Sequence, residues 1–255
     1  MVHRKVAGIL RGLREEREDL AAHQPARPTL ARWTRDAKLR HLSAIDIFRD
    51  LESKDLEWLA AHTTMVTTRR GQLIYQPGET SEALFLLKAG RVRIYRLSPD
   101  GKKLVLSTLD PETFFGDMPI AGQQMYGAFA EAVEDCMLCV LGQADLERLI
   151  QIRPLVAIRL LEVIGRRLVE AESVIEDFAF KSVPGRVATV LLRLTPDGLG
   201  AVAGYTHQDL AEMVGSYRET VTQTLDDFKR RGMVELARKQ IRILDRVALK
   251  IVSEG

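Results

Sequence analysis

One stretch near the carboxyl end, residues 206–232, constrains this chain more than any other, because it has the pattern of two helices separated by a tight turn. Its sequence is THQDLAEMVGSYRETVTQTLDDFKRRG. Thr206 is a typical N-cap residue, and apolar residues at helical spacing follow it. Gly215 can adopt the left-handed conformation that ends a helix. Ser216 and Glu219 have the spacing of a capping box, so the sequence predicts a second helix that begins after Ser216.

The second helix carries an apolar stripe on one side and charged residues in its first turn. Val221, Leu225 and Phe228 form the stripe, which predicts burial against a core. In a DNA-binding helix-turn-helix, the first turn of the second helix meets base edges in the major groove. Arg pairs with two acceptors of guanine and Glu accepts from the cytosine amine, so Arg218 and Glu219 are candidate base-reading residues. A solvated surface pair is the alternative, but the order of turn, cap and stripe favours DNA binding.

Length, composition and charge restrict the class of protein. The chain has 255 residues, of which 46% are apolar, enough for one large domain or two ordinary ones. It has no apolar run of about 18 residues and no secretory signal in residues 1–30. With only two cysteines, we expect a cytoplasmic protein with reduced thiols. Residues 181–255 carry 12 Lys+Arg against 9 Asp+Glu, which is consistent with polyanion binding there.

The first two-thirds of the chain divides near residue 43. Residues 1–42 are rich in arginine and contain Pro25 and Pro28, so we predict a basic, flexible N-terminal extension. A basic arm that contacts DNA or RNA polymerase is the alternative. Short amphipathic helices follow, and then many short strands separated by Gly and Pro turns. Residues 43–152 are therefore predicted to form a β-roll or barrel.

Residues 153–181 are predicted to form one long helix after a break near Pro154. Apolar residues at alternating spacings of three and four make a heptad seam along it. The seam residues are Leu161, Ile164, Leu168, Ala171, Ile175 and Phe178. Packing against its own domain is the alternative, but a charged opposite face suits a helix that lies against a twin. We therefore predict a homodimer. The second helices of its two helix-turn-helix units, about 34 Å apart, would meet successive major grooves.

The motifs QPGE, LFLLKAGRVRIY, DGK and FFGDM in the strand region, followed by RETV in the helix-turn-helix, carry a family resemblance. In this order they resemble the family of the cyclic-AMP receptor protein and the fumarate–nitrate regulator, from residue 43 to about residue 250. The resemblance implies an α+β fold with a cyclic-nucleotide-binding-like sensor roll at 43–152, a dimerisation helix at 153–181 and a winged helix-turn-helix at 182–255. It also implies a homodimeric transcription regulator with double-stranded DNA and RNA polymerase as partners.

The same resemblance assigns roles in DNA binding. Arg218 and Glu219 match the base-reading pair, so each half-site should contain a GTG-like core. Gln223 stands where the cyclic-AMP receptor has another Arg, which predicts a shifted base preference. Phosphate contacts are expected from the helix starts and from the tip of the wing. The expected DNA-binding set is Thr206, His207, Gln208, Ser216, Tyr217, Arg218, Glu219, Thr220, Gln223, Arg238 and Lys239.

The nucleotide pocket departs from the family pattern. The family has a Gly-Glu pair and an Arg-Ser/Thr-Ala triplet whose Arg neutralises the cyclic phosphate; here residues 116–117 are Gly-Asp and residues 126–128 are Tyr-Gly-Ala. No other basic residue lies between Lys103 and Arg148. The missing charge-assisted bond costs roughly 2–5 kcal/mol, so we do not expect cyclic AMP as effector. The expected pocket, vestigial in this interpretation, is Phe115, Gly116, Asp117, Met118, Tyr126, Gly127, Ala128, Ala171 and Glu172.

Other cofactors and other classes of function find little support. An iron–sulfur cluster needs four thiolates, whereas Cys136 and Cys139 are the only cysteines and point to opposite faces of one predicted strand. None of the five histidines lies in the strand region to bind haem. We therefore expect no cofactor and no metal, and we find no enzyme motif. Three alternatives stay open: a regulator with an unknown ligand, a sensor subunit that controls a protein partner, and an architectural DNA binder without sequence preference.

Overall fold

The computed structural model describes residues 29–30, 34–77, 83–116, 128–195, 201–237 and 240–255. The helices are α1 (Arg35–Ala44), α2 (Ser53–His62), α3 (Gln143–Ile152), α4 (Leu155–Phe180), α5 (Val183–Arg193), α6 (His207–Val214), α7 (Arg218–Arg230) and α8 (Arg246–Glu254). The strands are β1 (Thr29–Leu30), β2 (Thr63–Thr68), β3 (Leu73–Tyr75), β4 (Ala83–Ala89), β5 (Val92–Leu97), β6 (Lys103–Leu109), β7 (Phe114–Gly116), β8 (Phe129–Ala132), β9 (Cys136–Gly142), β10 (Ala201–Ala203), β11 (Val234–Ala237) and β12 (Gln240–Ile243).

Two antiparallel sheets form the predicted β-roll. Their strand orders are β1-β2-β9-β4-β7 and β3-β8-β5-β6. Strand β5 shows how the sheets enclose a core, because Val92 and Ile94 belong to the apolar cluster between them. Arg93, between these two residues, instead contacts a carboxylate outside the roll. The alternation follows from the two-residue period of a strand.

The roll domain begins earlier than the sequence analysis places it. Helix α1 begins at Arg35, not beyond residue 42, and Thr34 caps it by accepting a hydrogen bond from Ala37 N at 3.4 Å. Leu42 is fully buried in the same core as Phe48, so this helix is part of the domain rather than of an extension. Residues 1–28 lie outside the described part of the chain, and their flexible basic character stays a prediction.

Helix α4 begins directly after Pro154, where the sequence predicts a break. Its 26 residues make it about 39 Å long. Val156 and Leu160, in its first two turns, are buried against the roll. The helix then continues past the roll to the carboxyl-terminal domain, which it joins through the short connection at Lys181 and Ser182.

The carboxyl-terminal domain has its own core and is the predicted winged helix-turn-helix. Helices α5, α6, α7 and α8 pack with a small antiparallel sheet of order β10-β12-β11. Leu210 of α6, Leu225 of α7 and Leu249 of α8 are all fully buried there. Hairpin β11–β12 follows α7, in the position of a wing.

Candidate nucleic-acid interface

Helix α6 begins and ends where the sequence predicts. Thr206 Oγ1 accepts a hydrogen bond from Asp209 N at 3.1 Å, and Asp209 Oδ2 accepts one from Thr206 N at 2.8 Å. Gly215 ends the helix with a φ of 62°. A Cβ at this position would lie 2.6 Å from Cε1 of Phe178. Both the left-handed backbone and the packing against α4 therefore require glycine in this turn.

Helix α7 begins one residue later than the predicted capping box implies. Tyr217 is the N-cap, with φ −93° and ψ 149°, and its side chain makes no capping hydrogen bond. Ser216 N donates to Ala211 O at 2.9 Å, so Ser216 completes the end of α6 instead of starting α7. The predicted cap at Ser216, with Glu219 as its partner, is wrong, and Arg218 is the first helical residue.

The first turns of α7 present polar side chains to solvent. Arg218, Glu219 and Gln223 are exposed, and Tyr217 is 63% exposed. Glu219 and Gln223 are four residues apart and so share one face of the helix. Thr220 is half-buried. The predicted apolar stripe on the other side is buried, with exposed fractions of 0% for Val221, 0% for Leu225 and 1% for Phe228.

A short hydrogen-bond chain joins the starts of the two helices. His207 Nδ1 lies 2.9 Å from Thr222 Oγ1, and that hydroxyl donates to Arg218 O at 2.9 Å. Because the Thr222 proton points to the carbonyl, His207 Nδ1 is the donor in its own bond. The other ring nitrogen, Nε2, is thereby left for a ligand. Sequence reasoning missed Thr222, which lies one turn beyond Arg218.

These helix starts line one cleft with the wing. The cleft has a volume of about 450 Å³. Its walls are Tyr205, Thr206, His207, Gln208, Arg218, Leu236, Ala237, Gln240 and Ile241. The structure therefore brings four predicted DNA contacts together at one opening. Arg238 and Lys239, the predicted contacts at the wing tip, lie outside the described residues.

The predicted effector pocket is only partly described. Phe115 is 2% exposed, and its ring stacks on Phe85 with centroids 5.3 Å apart inside the roll. Gly116 has a φ of 124°, and a Cβ there would lie 2.4 Å from Ala83 O. Ala128 is 2% exposed in the same core. Asp117, Met118, Tyr126 and Gly127 lie outside the described residues.

A half-buried cation beside the roll, Arg167, was missed by the sequence analysis. Arg167 of α4 donates from Nη2 to Phe114 O, and its guanidinium lies 4.5 Å from the centroid of the Phe114 ring. Burial lowers the pKa of this arginine from its ordinary value. Arg167 lies 40 residues beyond Gly127 in the sequence, outside the strand region, and the long helix brings it to the roll. Arg167 lies one turn after Ile164, which packs against the roll core.

Most of the seam and pocket residues that the sequence analysis places on α4 are exposed. Leu161, Leu168 and Ile175 are 67%, 59% and 67% exposed, and Ala171 and Glu172 are also exposed. Two predicted seam residues have partners within the chain. Ile164 packs against the roll core, and Phe178 lies under Gly215 with the Arg186 guanidinium 4.9 Å from its ring.

The two cysteines point to opposite faces of β9, as predicted. Cys136 lies in the core between the sheets and Cys139 in the core beneath the helices. Both are buried, and burial raises the pKa of each thiol to about 11. Among the described residues there is no cluster of three His, Cys, Asp or Glu side chains that could hold a metal. In that part of the chain, no helix is both long and apolar enough to cross a membrane.

Comparison with known proteins assigns the two domains. Residues 65–153 match the cyclic nucleotide-binding domain family, and residues 185–251 match the Crp-like helix-turn-helix domain family. The cyclic AMP receptor protein of Thermus thermophilus is 31% identical over 209 residues, which are 82% of this chain and 97% of that protein. The chain belongs to the CRP/FNR family of DNA-binding transcription regulators. The CRP-like cAMP-activated global transcriptional regulator of Mycobacterium tuberculosis is also 31% identical, over 80% of this chain and 94% of its own length.

Solved structures of CRP/FNR regulators have the same fold. FixK2 from Bradyrhizobium japonicum matches with a TM-score of 0.66 and 25% identity, over 74% of this chain and 96% of its own. A transcriptional regulator of the CRP/FNR family from Thermus thermophilus matches with a TM-score of 0.61 and 30% identity, over 75% of this chain and 98% of its own. These relatives are transcription regulators rather than enzymes.

Proposed function

We propose that this chain forms a homodimer that binds a two-fold symmetric DNA site with GTG-like half-sites, and that it does so without cyclic AMP. In this proposal it works in the cytoplasm, with RNA polymerase as its protein partner and activation as one output. The observation that carries the proposal is the exposed first turn of α7, where Arg218 and Glu219 lie free of the domain core.

Sequence readout is argued from that turn and from the cleft beside it. Arg218 both lines the cleft and leads α7, so its guanidinium can reach a guanine edge while the cleft receives a phosphate. When its ring carries both protons, His207 donates from Nε2 to that phosphate while Nδ1 donates to Thr222 Oγ1. Gln223, one turn below Glu219 on the same face, is placed to read a further base.

The exposed part of the seam on α4 supports dimerisation. A soluble helix that exposes three large aliphatic residues in one row needs a partner for that face. A second copy of α4 presents the same row, and the two rows can interlock by the heptad spacing. A symmetric dimer would then present two α7 helices to one duplex.

The packing inside the roll supports independence from cyclic AMP. The triplet at 126–128 carries no arginine, and the rings of Phe115, Phe85 and Tyr75 already pack against one another in the interior. A cyclic phosphate placed there would lose its charge partner and displace packed aromatic area.

Arg167 favours a second candidate, which is a regulator that responds to an anionic ligand. The residue is half-buried beside the roll, and its guanidinium contacts the Phe114 carbonyl and ring. A partly desolvated cation gains from an anion brought next to it. Titration calorimetry of the purified protein with cyclic AMP and cyclic GMP tests the cyclic nucleotides among such ligands, because micromolar binding would refute nucleotide independence.

Binding to a half-site library tests the readout. We expect Arg218→Ala to cost about 1–3 kcal/mol and to relax preference at one base position. Lys239→Ala is the matched control, since a phosphate contact at the wing should weaken binding to all sequences alike and reduce the salt dependence. An equal loss on every sequence for Arg218→Ala would contradict the base-reading role.

A further inference from the structure

The hydrogen bond between His207 and Thr222 fixes which ring nitrogen carries the proton of a neutral His207. His207 Nδ1 lies 2.9 Å from Thr222 Oγ1, and the same hydroxyl donates to Arg218 O at 2.9 Å. A threonine hydroxyl has a single proton, which the bond to the carbonyl uses. Thr222 Oγ1 is therefore an acceptor towards the ring, and Nδ1 keeps its proton whether the ring is neutral or charged.

This arrangement makes the other ring nitrogen, Nε2, depend on protonation. In a neutral ring with its proton on Nδ1, Nε2 has a lone pair and no hydrogen. A phosphodiester group of DNA offers only acceptor oxygens, so a neutral His207 in this tautomer repels it. Nε2 can donate to a phosphate only after the ring has gained a second proton and a positive charge.

Thr222 thereby removes an option that an unconstrained histidine has. A free neutral imidazole exchanges between two tautomers, and the one with its proton on Nε2 can donate to phosphate without taking up a proton. In this structure that tautomer would leave His207 Nδ1 with no proton for Thr222 Oγ1. Thr222 is thus a positioning residue, which acts through His207 rather than by contact with the phosphate.

The surroundings of His207 on α7 and on the wing suit an anion. Arg218 is a permanently charged side chain in the walls of the cleft, and Glu219 beside it is exposed and does not belong to the described walls. Tyr205 is a further titratable group there, and its hydroxyl accepts a hydrogen bond from Arg91 Nη1 at 3.4 Å. The described walls on the wing side have no titratable side chain; they are Leu236, Ala237, Gln240 and Ile241.

The carboxylates on the same helix as His207 are engaged elsewhere. Asp209 Oδ1 lies 2.9 Å from Arg93 Nη2, and Glu212 Oε1 accepts a hydrogen bond from Gln208 Nε2 at 3.0 Å. Within the described part of the chain, no carboxylate forms a hydrogen bond or an ion pair with the His207 ring. A phosphate would therefore supply the negative charge that a doubly protonated ring needs.

We propose that DNA binding by this chain takes up a proton at each His207, and that Thr222 makes this uptake necessary for the phosphate contact. The inference rests on the proposed DNA-binding function and adds the proton as a second ligand of the cleft. The proton comes from solvent, and by reciprocity proton binding strengthens DNA binding as much as DNA strengthens proton binding. Because the protonated ring is the form that donates, DNA affinity rises as the pH falls and decreases as the ring loses its second proton.

Titration calorimetry of the full-length protein with a symmetric GTG-containing duplex measures the uptake. Binding heats at pH 7 in buffers with different enthalpies of ionisation give the number of protons bound per subunit. We expect an uptake of about half a proton or more per subunit. The dissociation constant should be at least about 10-fold larger at pH 8.5 than at pH 6.5. His207→Arg should bind without uptake at this position, because arginine keeps its charge throughout this range.

Two substitutions of Thr222 separate its effect on the ring from simple packing. Thr222→Ser retains the hydroxyl and should retain the wild-type uptake. Thr222→Val retains the shape of the side chain without the hydroxyl, so it should reduce the uptake to less than half of the wild-type value, in addition to any loss of affinity. His62→Gln is the matched control and should leave the uptake unchanged. His62 Nδ1 also lies close to an oxygen, 2.7 Å from Trp58 O, but this exposed histidine belongs to the roll domain.

Each result supports or overturns the coupling. DNA binding by the wild-type protein without proton uptake would refute it. Equal uptake by Thr222→Val and wild type would refute the role of Thr222. If the wild-type protein and all variants bind no DNA, the proposed function fails instead. The ¹⁵N chemical shifts of the His207 ring in the free protein at pH 8.5 then decide, because a proton on Nε2 would refute the fixed tautomer and a proton on Nδ1 would support it.

Discussion

Replacing Leu168 by aspartate should break the proposed dimer without unfolding the protein. Leu168 is 59% exposed in the single chain and lies in the heptad row of α4 with Leu161 and Ile175. Because the side chain faces solvent in the monomer, a carboxylate there removes little packing from the roll or from the carboxyl-terminal domain. The substitution should destabilise the dimer interface instead.

The size of the effect follows from how much apolar surface the dimer would cover. Complete burial of a leucine is worth about 1.5–3 kcal/mol, and covering the exposed part of Leu168 is worth about 1–2 kcal/mol. A two-fold interface contains the residue twice, so Leu168→Asp should cost at least about 2–4 kcal/mol. The dimer dissociation constant should therefore rise about 30- to 1,000-fold.

Sedimentation equilibrium over a range of protein concentrations measures this change. Val169→Asp is the control, because Val169 is 65% exposed but points about 100° away from the seam. Circular dichroism should show both variants folded. Equal dissociation constants for wild type and Leu168→Asp, or equal weakening by both substitutions, would refute a dimer built on this row.

Three further predictions concern stability and binding. Burial, with a smaller contribution from the charge of Lys88, lowers the pKa of His41 to about 4, while the unfolded chain titrates near 6.5. The contribution to the free energy of unfolding is therefore present above pH 6.5 and is lost as the pH falls towards 4. Urea unfolding should show a loss of about 2 kcal/mol by pH 5, and His41→Gln should abolish this loss. Gly116→Ala should destabilise by about 1–3 kcal/mol more than Gly71→Ala in the same assay, because both have positive φ but only Gly116 has a carbonyl 2.4 Å from the added Cβ. Thr222→Val should weaken DNA binding about fivefold on every sequence, because it frees His207, and a changed base preference would contradict this role.

The helix-turn-helix could be predicted from the sequence because its signals are local. Thr206, Gly215 and the stripe of α7 each act over a few residues, and the structure places them as expected. The start of α7 was missed by one residue because Ser216 and Tyr217 compete for the same role. The backbone N–H of Ser216 donates to Ala211 O at the end of α6, so Tyr217, a less typical residue, is the N-cap of α7.

The contacts that sequence reasoning missed join residues far apart in the chain. Arg93 pairs with Asp209 across 116 residues, and neither of the two motifs in which they lie predicts a contact with the other. Arg167 reaches the roll because α4 lies along it, which no strand-by-strand search for a cation would find. Leu42 lies at the end of the predicted extension, but its complete burial shows that α1 belongs to the roll domain.

In the proposed dimer, the contact between Phe178 and Gly215 would make the spacing of the two half-sites depend on α4, the helix proposed to join the two copies. The ring of Phe178 occupies the place that any side chain at 215 would need. We therefore expect that α7, which follows this turn, cannot tilt without displacing the end of α4. In a dimer, a change in how the two α4 helices cross would be carried directly into the distance between half-sites. Substitutions along α4 would then change the length of the palindrome that the proposed dimer prefers, while the candidate base-reading residues stay the same.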